Sequence, residues 1–170
     1  PIEGRFPTLY NGTEVRINGD AAELISLSPT KLRVRMPVRV DVARDASLEV
    51  WQSGVVRASS AVVTATAAPS LFPIIVLEDG SVASVSNPAQ RGSIVLLFGT
   101  GEGGLNAGDA RITIGDGEAQ VLWGGPVPSA PGIFQINVRV PTGFFAAGLH
   151  ALSGQIGAFR IDGAVDVPVQ

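Results

Sequence analysis

Apolar and polar residues alternate with a period of two along much of this chain. That period belongs to half-buried strands, whose side chains point to opposite faces in turn. Residues 14–17 alternate, Asn18-Gly19 supplies a two-residue turn in which both positions tolerate positive φ, and residues 23–27 return as the partner strand. Residues 31–36 alternate strictly. This places Leu32, Val34 and Met36 toward a core and Lys31, Arg33 and Arg35 toward solvent, and Pro37 ends the strand because it has no amide hydrogen for a ladder. Residues 47–51 alternate again, Gly54 turns the chain, and residues 61–66 read as a β-branched strand. Residues 72–77 are apolar and extended, and Asp79-Gly80 and Asn87-Pro88 are turns on either side of residues 81–85. Residues 93–98 form a continuous apolar strand, followed by a glycine-rich turn at 99–104 and two short strands around Asp116-Gly117. A proline-rich connection over 124–131 leads to strict alternation at 134–140, ended by Pro141; residues 149–152, 159–161 and 164–167 complete the series. No segment carries the period of an amphipathic helix.

The chain repeats itself. Val15 to Ile25 align with Ile112 to Leu122 at a constant offset of 97, which pairs Ile17 with Ile114, Ala22 with Ala119 and Leu24 with Val121. Lys31 to Pro37 align with Gln135 to Pro141 at an offset of 104, the difference being a seven-residue insertion in the proline-rich connection. Leu48 and Val50 align with Leu149 and Ala151 at an offset of 101. Strand order, turn positions and inward residues agree between the copies, and register is what a buried face specifies.

Two copies of a unit built from short strands and regularly spaced turns predict an all-β chain of two tandem Ig-like β-sandwich domains. The expected division is 1–68, a linker and connecting strand at 69–91, and 92–170. Leu32, Val34, Met36, Leu48 and Val50 are expected in the first core, and Ile94, Leu96, Phe98, Ile112, Ile114, Phe134, Ile136 and Val138 in the second. The second copy has the strand 93–98 before its hairpin, whereas the first has no matching strand before Val15, so the first sandwich is expected to lack its opening strand. The open edge is then expected at Glu14, Val15, Arg16 and Ile17. The alternatives are that the strand was lost when the chain was trimmed, or that residues 72–77 fold back to cover the edge.

The run from Gly92 to Gly101, the strand pair around Gly115-Asp116-Gly117, and Gln135 to Pro141 together resemble the IPT/TIG-type Ig-like repeats of large secreted bacterial proteins. The resemblance spans nearly the whole chain in two copies, and its motifs are structural. It implies an extracellular or cell-surface module for binding, spacing or assembly, with no reaction and no cofactor.

Composition narrows the classes further. Apolar residues make up 45% of the 170 and charged residues 16%, enough for a packed core and far from a disordered composition. Glycine (21) and proline (12) are abundant, as turn-rich β-structure requires. The net charge of −3 lacks the basic balance of a nucleic-acid binder, so no nucleic-acid partner is expected. No apolar run reaches the roughly 18 residues of a membrane helix, so no such span is expected. Pro1 in place of an initiating methionine reads as a processed or trimmed start. The absence of cysteine excludes disulfides, thiolate metal sites and cysteine nucleophiles.

Gly99, Gly101 and Gly104 have the spacing of a dinucleotide-binding loop, but that loop must open a helix, and the strand pattern at 111–114 follows too closely. His150, the only histidine, aligns with Glu49 and is expected to point outward without a catalytic partner. No serine has a nucleophile-elbow context. Glu102, Asp109, Asp116 and Glu118 lie close together but have no calcium-loop spacing and read as turn formers, so no metal is expected. Lys31, Arg33 and Arg35, with Arg39 near, read as a solvated strand face or a polyanion contact. Trp51, Trp123 and Tyr10 are candidates for stacking on a glycan; the alternative is that the tryptophans cap a core or an interdomain contact. Asn11-Gly12-Thr13 matches a glycosylation acceptor and is expected unmodified in a bacterial protein.

The expected function is a non-enzymatic extracellular structural or adhesive module. It would assemble into filaments by intermolecular strand addition, its partner being another copy or another chain of the same precursor. Pro1 to Tyr10 and Val165 to Gln170 of a neighbouring copy are candidate donors. The alternative is a carbohydrate-binding accessory module of a secreted protein.

Overall fold

The computed structural model describes residues 6–37, 45–143, 146–163 and 165–170. Strands are the main regular structure of the described residues, and their only helical turn is a three-residue 3-10 turn at Ala107–Asp109. Contacts divide the chain into two compact units, Pro1–Thr66 and Ala67–Gln170. The segment 69–91, expected to be a linker with a connecting strand, lies within the second unit.

The first unit contains β1 (Leu9–Tyr10), β2 (Thr13–Ile17), β3 (Asp20–Ala21), β4 (Glu23–Leu27), β5 (Leu32–Arg35), β6 (Ala46–Gln52) and β7 (Val55–Val62). One sheet has the order β1-β2-β6-β7, with β3 also on β2, and β4 and β5 form a separate ladder. Asn18 and Gly19 adopt φ of 53° and 84° in the tight turn that the sequence predicts. Val15, Ile17, Ala22, Leu24 and Ala46 are buried, with Leu27, Leu32, Val34, Leu48, Val50 and Val62 partly buried against them. Met36, expected in this core, is 50% exposed. It lies one residue beyond the end of β5, where the ladder no longer dictates its face. The expected strand at 61–66 is instead β7, which starts right after the Ser53-Gly54 turn and is exposed over nearly its whole length. A strand exposed on both faces carries no alternation to read.

The second unit contains β8 (Ser70–Leu77), β9 (Ile94–Thr100), β10 (Ala110–Ile114), β11 (Gly117–Pro126), β12 (Phe134–Arg139), β13 (Gly148–Ile156), β14 (Phe159–Arg160) and β15 (Val165–Val169). Strand order is β14-β13-β10-β11-β12-β9-β8, with β15 also on β13. The path is continuous because β11 serves two partners in succession, β10 through Gly117–Ala119 and β12 from Gln120 onward, with a bulge at Leu122. Ile112, Ile114, Leu152 and Ile156 from one half of this path share a single core with Val95, Leu97, Ile136 and Val138 from the other. The sheet therefore folds over itself as a sandwich.

Ile112, Ile114, Phe134, Ile136 and Val138 occupy this core as expected, whereas Ile94, Leu96 and Phe98 do not lead β9 into it. The buried face of β9 is Val95, Leu97 and Gly99, one residue out of phase. The run is apolar on both faces, so the sequence contains nothing to fix its phase, and a one-residue slip exchanges every side chain between faces. Gly99 is required by its cross-strand partner: a Cβ there would lie 2.4 Å from Phe134 Cζ and 2.5 Å from the Ser70 carbonyl oxygen.

Backbone pairing matches the repeat residue by residue. Glu23↔Arg35, Leu24↔Val34 and Ser26↔Arg33 in the first unit correspond to Gln120↔Arg139, Val121↔Val138 and Trp123↔Asn137 in the second, and the bulges at Ile25 and Leu122 coincide. The offset of 101 for the later strand is corrected to 104, because Ile17↔Leu48 corresponds to Ile114↔Leu152. Three is odd, so this correction also exchanges faces. Leu149 is 59% exposed, while His150 joins Leu152 and Ile156 on the inward side of β13.

Candidate functional site

The expected open edge at Glu14, Val15, Arg16 and Ile17 is an interior strand. β2 pairs with β6 along its whole length and, on the other side, with β1 at Thr13 and Glu14 and with β3 at Arg16 and Ile17. Val15 and Ile17 are buried, and the two outward side chains are tied into a cluster with Trp51. Arg16 donates from Nε and Nη2 to the two carboxylate oxygens of Glu14 at 2.8 and 3.2 Å, and its guanidinium lies 4.5 Å from the centroid of the Trp51 ring. The hydrogen bond to Glu14 raises the Arg16 pKa above its usual value. The Trp51 indole N–H donates to Glu49 at 2.9 Å. One face of Trp51 is therefore occupied by a cation and its polar edge is used, which is an outer-sheet packing role.

Among the described residues, the edge that is open in the first unit and covered in the second is that of β5. In the second unit β12 is flanked by β11 on one side and by β9 on the other, from Phe134↔Gly99 to Arg139↔Ile94. β8 then pairs with β9 and closes onto the far side of the unit, where Leu71 N donates to Asp162 O at 3.0 Å and Asp162 N donates to Pro69 O at 2.8 Å. β5 is the counterpart of β12. Among the described residues it pairs with β4 alone, and no strand corresponds to β9 or β8. The side chains record the difference. Ile136 and Val138 are fully buried, while their counterparts Leu32 and Val34 are only partly buried.

Along this edge Arg35 forms an ion pair with Glu23, directly across on β4, and Glu23 also accepts from the Phe6 amide. Arg33 is exposed and faces Ser26, and Lys31 is exposed just before the strand. Of the basic side chains expected at a polyanion contact, Lys31 and Arg33 are exposed and Arg35 is ion-paired. Arg39 lies outside the described residues.

A second polar surface lies on the outer face of the second unit. Trp123 is 47% exposed and stands opposite Asn137. A Cβ on Gly125 would lie 3.0 Å from its ring, so the glycine makes room for the indole to lie along the strand. Gln135 pairs with Gly125 and donates to Asn137 Oδ1 at 2.7 Å. Sequence reasoning missed Gly125, Gln135 and Asn137; the alternation at 134–140 already placed both amides outward. Tyr10 and Trp51 belong to the first unit and Trp123 to the second, so each is read within its own unit.

The remaining candidates have structural placements. Asn11 sits in the exposed β1–β2 turn with φ 47°, its carbonyl accepting from Gln52 Nε2 at 2.9 Å. His150 Nε2 lies 2.7 Å from the Ala146 carbonyl oxygen. Gly101 packs against the Ala68 carbonyl, and the 3-10 turn that follows is capped by Asn106, whose side chain accepts from Gly108 N. Among the described residues no group of three metal-capable side chains comes together, Glu102, Asp109, Asp116 and Glu118 included. No helix among them is long and apolar enough to cross a membrane. No family model, curated protein or solved structure matches the chain.

Proposed function

We propose that this chain is a non-enzymatic extracellular or cell-surface structural module whose first unit is completed by a strand from another polypeptide. The observation that carries the proposal is the edge of β5, which has no partner and no counterpart of β9 beside it among the described residues. Unpaired strand edges recruit strands, with backbone hydrogen bonds supplying affinity and alternate side chains supplying specificity. Donation from one molecule to the next is heterologous and builds filaments or fibres. The resemblance to IPT/TIG repeats supports the surface location. The termini are poor donors: Val165, Val167 and Val169 are buried in their own unit, and Leu9–Tyr10 already pairs with β2. Sedimentation and light scattering of the purified chain test the proposal, with concentration-dependent association or capture of an added strand as the expected result. A monomer whose β5 amides are fully protected from exchange would overturn it.

A second reading, a carbohydrate-binding accessory module, is favoured by the exposed indole of Trp123 beside the amides of Gln135 and Asn137. Flat aromatic faces next to planar amides suit the apolar face and hydroxyls of a pyranose. A glycan array decides it: saturable binding that disappears in Trp123→Ala and weakens in Asn137→Ala supports this reading.

A further inference from the structure

The repeat specifies the missing strand in detail. We infer that the β5 edge accepts an antiparallel strand with apolar residues facing Val34 and Leu32 and acidic residues facing Arg33 and Lys31; this rests on the strand-completion reading above.

The register follows from the second unit. Val95 and Leu97 face Val138 and Ile136, and Leu96 and Phe98 face Asn137 and Gln135. Moving β12 onto β5 by the offset of 104 puts the slots of Val95 and Leu97 opposite Val34 and Leu32. The slots of Leu96 and Phe98 fall opposite Arg33 and Lys31. The inward slots must be apolar, because Leu32 and Val34 are the half-covered part of the first core. The outward slots are set by charge. Arg35 already has Glu23, but Arg33 faces only Ser26 across the existing ladder, and neither Arg33 nor Lys31 is in an ion pair among the described residues. Opposite charges directly across a ladder stabilise it and like charges destabilise it. The same rule disfavours pairing of β5 with β5 of a second copy about a two-fold axis, since that would bring the basic side chains of both strands together. The glycine of the β9 slot is not needed here, because Thr30 stands where the second unit has Phe134.

The test uses the full chain and three labelled synthetic peptides of residues 93–100. One carries L96E and F98E, one carries L96K and F98K, and the third is the acidic peptide N-methylated at alternate amides. Fluorescence anisotropy should show saturable binding of the acidic peptide, binding of the basic peptide weaker by about ten-fold, and none of the methylated one. Arg33→Glu, an exposed substitution, should remove the preference between the charged peptides, and Arg33→Glu with Lys31→Glu should reverse it. Amide exchange of residues 32–35 should slow when the acidic peptide is bound. Equal affinity for the two charged peptides, or no binding of either to a chain whose β5 amides exchange freely, overturns the inference while the strand-completion reading stands. Protection of those amides in a monomeric chain, before any peptide is added, overturns that reading itself.

Discussion

The two units are built on the same ladder and differ in closure. Paired positions, bulge and hairpin register coincide from β2 to β7 and from β10 to β14, so the two sequences encode one core plan. Among the described residues only the second unit has strands such as β8 and β9, which cover the edge of β12 and reach back toward β15. In consequence Val165, Val167 and Val169 are buried, while the matching end of the first unit, β7, is an exposed edge. Closing strands do more than add area: they convert half-exposed apolar residues on strands already present into a dry core.

The largest expected effect comes from deleting the same core position in both units. Ile136→Ala should cost about 2–5 kcal/mol of second-unit stability, the range for emptying a fully buried aliphatic site. Its counterpart, Leu32→Ala, should cost about 1–2 kcal/mol in the first unit, because that side chain is only partly buried. Each unit contains one of the two tryptophans, Trp51 and Trp123, so urea titrations in Trp123→Phe and Trp51→Phe backgrounds read the units separately. Equal losses would show that closure makes no difference to the core.

A smaller effect should follow from making the closed unit resemble the open one. Gly99→Ala forces a methyl carbon against Phe134 and the Ser70 carbonyl, and part of that contact is backbone that cannot rotate away. The loss should be about 1–3 kcal/mol, with faster amide exchange along β12 approaching that of β5. By contrast Gly54→Ala, in the first unit, has φ of +80° and open space around it, so it should cost only about 1 kcal/mol from backbone strain. Similar losses at the two glycines would mean that the β9 contact is not tight.

The smallest effect concerns the turn after β8. Asp79 accepts from the Ser81 hydroxyl at 2.6 Å and from the Ser81 amide at 2.9 Å, and these bonds hold its carboxyl below the usual carboxylate value. A carboxyl with a depressed folded-state pKa contributes stability above its unfolded value, near 3.9, and loses it as pH falls through the folded value. Asp79→Asn should therefore lower the melting point of the second unit slightly at neutral pH and leave it unchanged in strong acid. A difference that persists in acid would assign the effect to turn geometry.

Where an alternating pattern had one polar face, the sequence was readable. Ile112, Ile114, Phe134, Ile136 and Val138 are buried as their alternation implies, and Asn18-Gly19 turns where its φ tolerance implies. It was not readable at residues 94–98, apolar on both faces, or along β7, exposed on both. Nor was the site fully legible. The repeat shows no segment before Val15 that matches 93–98, yet chain order pointed to β2, the first strand the alternation predicts, whereas among the described residues the uncovered edge is that of β5.

The sequence by itself determined most strands, most turns, the internal repeat and the all-β class, because these follow from side-chain period and local φ preferences within a few residues. Only the tertiary structure decided the phase of β9, the alignment of β13, the inward placement of His150 and the identity of the open edge. Each depends on which strand lies beside which, and long-range backbone pairing leaves no mark in a segment whose two faces have the same polarity.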